Sequence, residues 1–325
     1  MDVLSDVLRA VRLTGAVYFD VHARAPWVAE TPATSRICAN VMPAFEHAVS
    51  FHIMMDGWCW AQLADESQPA VRLESGDAVI FIGGEGHFMG SERGKRAQPN
   101  MDLYYRPTDR PLPFLLNEVG GSGEPTRFIC GYLGCDARPF NPILDALPRL
   151  LHVRGGNGGA VSHDLIRMAL EEHERPRAGG ETILSKLSEL MFLHAVRQYI
   201  DGLPSQSTGW LAGLRDRHVG VALGLMHGRP SEDWTLDVLA REAGLSRSAF
   251  AERFTSLMNT PPMHYLSNWR LQLAARILER PGVSVAQAAA EVGYESEAAF
   301  NRAFKKAVGQ PPGAWRRART APAPA

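Results

Sequence analysis

The sequence predicts an α+β multidomain chain: an N-terminal β-barrel or sandwich, a helical connector, and a C-terminal all-α domain with two helix-turn-helix units. Three observations predict it. Short alternating apolar strands with Gly-rich turns fill residues 16–135, a wide apolar stripe runs from Glu181 to Asp201, and one helix-turn-helix pattern occurs twice, in register, in the last third. With 325 residues, 45% of them hydrophobic, the chain can bury a core in each of two domains.

The β half is read from alternation. Val49, Phe51, Ile53 and Met55 alternate with Ser50, His52 and Met54, and Asp56-Gly57 then turns into Trp58 to Leu63, which reads as a hairpin. Val71-Arg72-Leu73 precedes a turn at Glu74-Ser75-Gly76-Asp77, and Ala78 to Ile82 is an apolar run suited to a doubly buried strand.

Gly76, Gly84 and His87 stand at the spacing of the second conserved motif of cupins, so this half resembles the cupin-type sensor of one branch of bacterial regulators. The resemblance extends through Cys130-Gly131-Tyr132 and Phe140 to Leu144. Ile82 stands where cupins commonly have Pro, and the first cupin motif, with two His one residue apart and a downstream Glu, is missing.

His52 and His87 are the candidate metal ligands, with Cys59 or Glu85 as third donors to a divalent cation, because zinc or iron needs about three convergent ligands. The competing reading is that each His satisfies a buried hydrogen bond. His52, Trp58, Trp60 and His87 are candidates for effector binding; Trp58, Trp60, Phe81 and Phe88 either line a pocket or simply fill the core. Four cysteines, Cys38, Cys59, Cys130 and Cys135, read as free thiols in a reducing compartment, and Cys59, Cys130 and Cys135 are the candidates for redox sensing.

Leu165, Met168, Ala169 and Glu172 suggest one connector helix. Ile183, Leu184, Leu187, Leu190, Met191, His194 and Ala195 mark a stronger one, whose stripe either covers a core or carries a homodimer contact. Gly202 to Ser207 reads as the interdomain linker.

The first helix-turn-helix runs from Thr235. Leu236, Leu239, Ala240 and Ala243 fall at i, i+3, i+4 and i+7, Gly244 suits a left-handed turn, and Ser246 caps the next helix. The second copy has Ser284 and Gln287 at capping-box spacing, then Val285, Ala288, Ala289 and Val292, a turn at Gly293, and Ser296 before Phe300 and Phe304. The offset is 49 from Gly244 to Gly293 and 50 from Phe250 to Phe300, and Pro261-Pro262 matches Pro311-Pro312 at 50. Such agreement implies internal repetition of one supersecondary unit. Between the copies, Leu266, Trp269, Leu273 and Ile277 trace one face of a longer helix.

The segments Leu239-Ala240-Arg241-Glu242-Ala243-Gly244-Leu245-Ser246 and Val292-Gly293-Tyr294-Glu295-Ser296, with the helices after them, make residues 213–318 resemble the DNA-binding domain of the AraC/XylS transcription regulators. With Phe250, Phe254 and Leu257 inward, the step of about 100° per residue puts Ser248, Glu252 and Thr255 outward with Ala251 beside them. In the second reading helix, Phe300 and Phe304 inward leaves Glu297, Ala298, Asn301, Arg302 and Lys305 outward. Arg302 suits guanine, Asn301 adenine and Glu252 cytosine; Lys305 and Lys306 suit phosphates, and Arg247 and Arg253 flank the first helix as backbone contacts.

Charge agrees: from Gly213 onward 15 Lys+Arg face 10 Asp+Glu, about +5 in a chain of net −1. No apolar run of about 18 residues exists, so no transmembrane helix and no membrane partner are expected. Met1-Asp2-Val3-Leu4 lacks the basic and apolar regions of a signal peptide, so a cytoplasmic protein is expected. The domain reading is a cupin-like sensor over 1–145, a connector over 146–207, a DNA-binding domain over 213–318 and a disordered tail over 319–325.

The function read from this is a sequence-specific DNA-binding transcription regulator, no enzyme, controlled by a small-molecule effector or an oxidant. The resemblance implies activation through RNA polymerase. The alternative is a cupin metalloenzyme, an oxygenase or isomerase, fused to a DNA-binding module.

Overall fold

The computed structural model describes residues 2–104, 112–155, 164–165, 167–169, 171–172, 175, 177–204 and 206–320. Of the tail expected over 319–325, Arg319 and Thr320 instead close the last helix, where Arg319 pairs with Glu279 at 2.7 Å, and 321–325 lie outside the described residues, as does part of the connector. In chain order the first elements are α1 (Val3–Ala10), β1 (Thr14–Arg24), β2 (Val28–Thr31), α2 (Cys38–Val41), β3 (His47–Asp56), β4 (Trp58–Leu63), β5 (Val71–Glu74), β6 (Ala78–Phe81) and β7 (His87–Gly90). There follow β8 (Phe114–Gly120), β9 (Pro125–Cys135), α3 (Pro142–Ala146), β10 (Leu150–Val153) and α4 (Gly180–Asp201). The chain ends in α5 (Trp210–Arg215), α6 (Val219–Gly228), α7 (Leu236–Glu242), α8 (Arg247–Met258), α9 (Pro262–Leu278), α10 (Val285–Glu291), α11 (Glu297–Val308) and α12 (Pro312–Thr320).

Contacts divide the chain into two compact units. One comprises Arg12–Asp136 and Leu147–Gly202; the other comprises Met1–Val11, Ala137–Ala146 and Leu203–Ala325. Two segments counted with the sensor in the sequence, α1 and the stretch around α3, therefore group with the C-terminal helices. Gln272, fully buried on α9, accounts for this locally: its Oε1 accepts from Phe140 N–H at 3.0 Å and its Nε2 donates to Ala10 C=O at 3.1 Å.

The first unit is a two-sheet β-structure with the strand orders β10-β6-β3-β9-β1-β8 and β2-β7-β4-β5. Tyr18, Met54, Cys59, Leu63, Phe81, Met89 and Phe128 form the core between the sheets. The expected hairpin at Asp56-Gly57 does not form. β3 pairs with β6 and β9, whereas β4 pairs with β5 and β7 in the other sheet. Gly57, at φ +76°, turns the chain from one sheet into the other, and a Cβ there would lie 2.6 Å from Pro125 O. Local alternation identifies both strands but carries no information on which partner each will pair with.

α4 lies on the outer face of the six-stranded sheet, close to β1: a Cβ on Gly15 would come within 2.5 Å of Ser188 Cβ. Leu184, Leu187, Phe192, Ala195 and Val196 are buried. Ile183 and Leu190 of the predicted stripe are exposed, so that stripe is wider than the face the sheet covers.

The second unit is all-helical. α9 runs between the two helix-turn-helix units, and its Leu271, Ala274, Ala275 and Leu278 share a core with Ala288, Ala289, Phe300, Phe304 and Trp315. α9 is thus buried on more than the single face traced from the sequence. Among the described residues no helix is long and apolar enough to cross a membrane.

Candidate DNA interface and sensor interior

Each reading helix is started by the residue the sequence marks for it. Thr235 caps α7 by accepting from Val238 N–H, Ser246 caps α8 through Ala249 N–H, and Ser296 caps α11 through Ala299 N–H. Ser284 and Gln287 close a complete capping box on α10. Gly244 (φ +71°) and Gly293 (φ +85°) make the two turns.

On α8, Phe250 and Phe254 are buried and Ser248, Glu252 and Thr255 are exposed, with Ala251 half-buried. Met258 takes the third inward position, while Leu257 is only half-buried. Arg247 is exposed beside Asp237 at 3.5 Å. Arg253 is committed within the unit: its Nε lies 3.1 Å from both carboxylate oxygens of Asp216. Burial alone would raise the Asp216 carboxyl, but hydrogen bonds from Arg253 and from the Val219 and His218 N–H groups bring it down to about 2.

α11 presents a different surface. Phe300, Phe304 and Val308 are buried, and Glu297, Ala298, Arg302, Lys305 and Lys306 are exposed. Arg302, Lys305 and Lys306 enter no ion pair with another described residue. Asn301 is half-buried, and its amide donates to the Glu297 carbonyl at 3.0 Å, so reaching a base requires that bond to open. Lys305 and Lys306 sit in the last turn, where cations are also favoured by the helix dipole.

In the β unit, His52 on β3 and His87 on β7 meet across the two sheets, Nε2 to Nε2 at 2.7 Å. His52 Nδ1 is 2.9 Å from Cys130 Sγ, and His87 Nδ1 is 3.1 Å from the Glu85 carbonyl. A carbonyl only accepts, so His87 carries its proton on Nδ1. With both rings neutral, His87 Nε2 accepts from His52 Nε2–H, and His52 Nδ1 accepts from the Cys130 thiol. Burial first, and for His52 its neighbour His87 next, holds both imidazoles neutral: His52 well below its ordinary range, His87 at about 4. Burial likewise raises the Cys130 thiol well above its ordinary range, consistent with its role as donor. Phe81 stacks on His87 at 3.7 Å.

The other predicted sensor residues do not join this chain. β4 is pleated so that Cys59 points inward and Trp58 and Trp60 point to the other face, where Arg72 covers Trp58 and Arg93 covers Trp60. Trp58 and Trp60 therefore form no common pocket with His52 and His87. Phe81 and Phe88 are both buried core residues. Cys59 directs its thiol to the Met54 sulfur at 3.5 Å, and burial raises its pKa. Cys135 is five positions from Cys130 on β9, which puts the two on opposite faces. All four cysteines are buried and none is in a disulfide.

The donor set does not fit the divalent metal considered from sequence. Both ring nitrogens of His52 are engaged, Glu85 pairs with Arg149, and no three His, Cys, Asp or Glu side chains converge among the described residues. Cys130 as the partner of His52 was missed, because the register that pairs them across β3 and β9 is not written locally. Arg270 was missed as well; a charged residue between buried Trp269 and Leu271 is its one sequence signal.

Comparison with known proteins agrees with this architecture. A family profile described as a cupin matches residues 2–201, and a helix-turn-helix domain profile matches residues 239–318. An AraC-like transcription regulator of Streptomyces lividans is 29% identical over 327 residues, covering 99% of this chain and 100% of that one. The HTH-type transcriptional regulator AlkR of Acinetobacter baylyi is 27% identical, over 97% of this chain and 99% of that one. The RCS-specific HTH-type transcriptional activator RclR of Escherichia coli is 31% identical over 199 residues, covering 59% of this chain and 68% of that one. Capped twin helix-turn-helix units behind a two-sheet β domain, matched end to end by regulators of this kind, establish that the chain belongs to the AraC/XylS family of DNA-binding transcription regulators with an N-terminal cupin domain.

Proposed function

We propose that this regulator reads promoter DNA with α8 and α11 and is switched by a small molecule recognised in its cupin unit. The observation that carries the DNA half is the surface of α11: Arg302, Lys305 and Lys306 point outward, opposite the buried Phe300 and Phe304. Arg302 reads a base edge, Lys305 and Lys306 hold phosphates, and Ala298 leaves room for close approach. On α8, Ser248, Glu252 and Thr255 are the reading residues, with Ala251 beside them and Arg247 on the backbone. Arg253 acts through Asp216 instead of through DNA. Asn301 and Glu297 modulate the second head.

Regulation uses the β unit. The buried His52–His87 pair and the Cys130 thiol are polar groups aimed at one another across the sheets, so an effector that separates them would reshape the sandwich interior. The exposed Ile183 and Leu190 on α4, seven residues apart on one helical face, support a homodimer. Activation through RNA polymerase is the family's usual mode and the one proposed here, as a cytoplasmic protein without catalytic activity.

The test is genome-wide occupancy of the tagged chain. Discrete peaks beside a small gene cluster, lost in an Arg302→Ala, Lys305→Ala double variant, are expected; peaks unchanged in that variant would overturn the assignment of α11.

A further inference from the structure

The two helix-turn-helix turns look alike in sequence but have different surroundings. A Cβ on Gly244 would meet nothing within 4 Å. On Gly293 it would lie 2.8 Å from both Ser231 Cα and Ser231 O, and 3.1 Å from Arg270 Nη2. The second turn is therefore pressed against the loop that leads into the first helix-turn-helix. Arg270, on α9, lies at that junction. Its Nε donates to Pro230 O at 2.7 Å, its Nη2 to Glu232 O at 2.7 Å, and its Nη1 to Gly293 O at 3.3 Å.

The loop that Arg270 grips is bonded within itself. Trp234 Nε1 donates to Arg229 O at 2.8 Å, Arg229 stacks over the Trp234 ring, and the next residue, Thr235, is the N-cap of α7. One helical turn earlier on α9, the Ser267 and Tyr294 hydroxyls meet at 3.1 Å, tying the same face to the residue after Gly293. The entry to one reading head and the turn of the other are thus joined through a single planar cation.

We infer that Arg270 is a positioning residue that sets the angle between the two reading heads, and with it the spacing at which the protein accepts two major-groove half-sites. Apolar packing of α9 against each unit is non-directional and tolerates small rotations, whereas a guanidinium fork on three carbonyls does not. The lever makes small rotations matter. α11 is about 18 Å long at 1.5 Å per residue, so a swing of roughly 10° moves its end by about 3 Å, close to one base-pair step. Lysine carries a point charge on a flexible stem and cannot hold three carbonyls in one plane.

The inference rests on both heads reading DNA, and the experiment separates the two claims. Operators are selected from random duplexes with the full-length protein. Affinity is then measured for the selected site and for versions with one base pair inserted or removed between the half-sites, for wild type and Arg270→Lys. Wild type is expected to lose about tenfold or more per inserted base pair. In Arg270→Lys the selected site should weaken by about tenfold while the insertion penalty shrinks to within about threefold, because the heads now adapt.

A folded Arg270→Lys protein that keeps the full wild-type penalty overturns the inference. Wild type indifferent to spacing overturns instead the two-headed reading on which it rests. A DNA-free measurement covers a variant too unstable for titration: spin labels on Glu252→Cys and Lys305→Cys should give a narrow distance distribution in wild type and a broad one in Arg270→Gln. Equal widths in both would also overturn the inference.

Discussion

Arg253 closes a two-pronged ion pair on Asp216, with Nε 3.1 Å from each carboxylate oxygen, and so belongs to the scaffold of the first helix-turn-helix unit. Arg253→Gln should lower stability by about 1 kcal/mol, since the arginine is partly exposed, and should leave the salt dependence of DNA binding unchanged. Lys305→Ala should instead reduce the slope of log affinity against log salt by about 1. Titrations across a salt series check both. A reduced slope in Arg253→Gln would return that residue to the DNA backbone.

Arg302 is exposed on α11 in a position to fork onto a base. Arg302→Ala should cost about 1–3 kcal/mol on the cognate site and relax preference at one base pair, with little effect on random DNA. Competition binding against single-position operator variants reads this directly. Uniform weakening across all sequences would make Arg302 a phosphate contact.

The two turn glycines predict unequal substitutions. Gly244→Ala meets only the cost of a left-handed Cβ residue, about 1 kcal/mol, and Gly244→Asn less. Gly293→Ala adds a clash with the Ser231 backbone and should cost at least about twice as much. Denaturant midpoints of the full chain compare them, and equal losses would show that the loop at Ser231 yields freely.

Buried neutral histidines make the β unit acid-sensitive. The His87 imidazole falls from 6.5 to about 4 on burial, and His52 is lowered as well, so the folded unit binds fewer protons than the unfolded chain. The His87 contribution is complete above pH 6.5 and is lost as the pH falls toward 4, with a limiting slope of about 1.4 kcal/mol per pH unit, and His52 acts in the same direction. Unfolding midpoints between pH 7.5 and 5 should fall accordingly. His87→Gln, which cannot titrate, should flatten the curve; an unchanged slope would assign it to other groups.

The features legible along the chain were local and periodic. Ser246, Ser284 and Ser296 are read as caps because a cap bonds a backbone N–H two or three residues on, and Gly244 and Gly293 as turns because few other residues take positive φ. The inward Phe250, Phe254, Phe300 and Phe304 follow from a period of 3.6. Arg302, Lys305 and Lys306 became legible as the opposite face by the same step.

The remaining features depend on partners distant in sequence, which folding alone brings together. The apolar alternation of β3 and β4 is the same whether Asp56-Gly57 makes a hairpin or crosses between sheets, so Trp58 and Trp60 were placed beside His52 when they face away. Cys130 meets His52 through strand register, Arg253 meets Asp216 across 37 positions, and Arg270 gathers carbonyls from 40 residues before it and 23 after. A charge in the sequence states that it needs a counterpart; the fold decides whether that counterpart is a phosphate, a carboxylate or a backbone carbonyl.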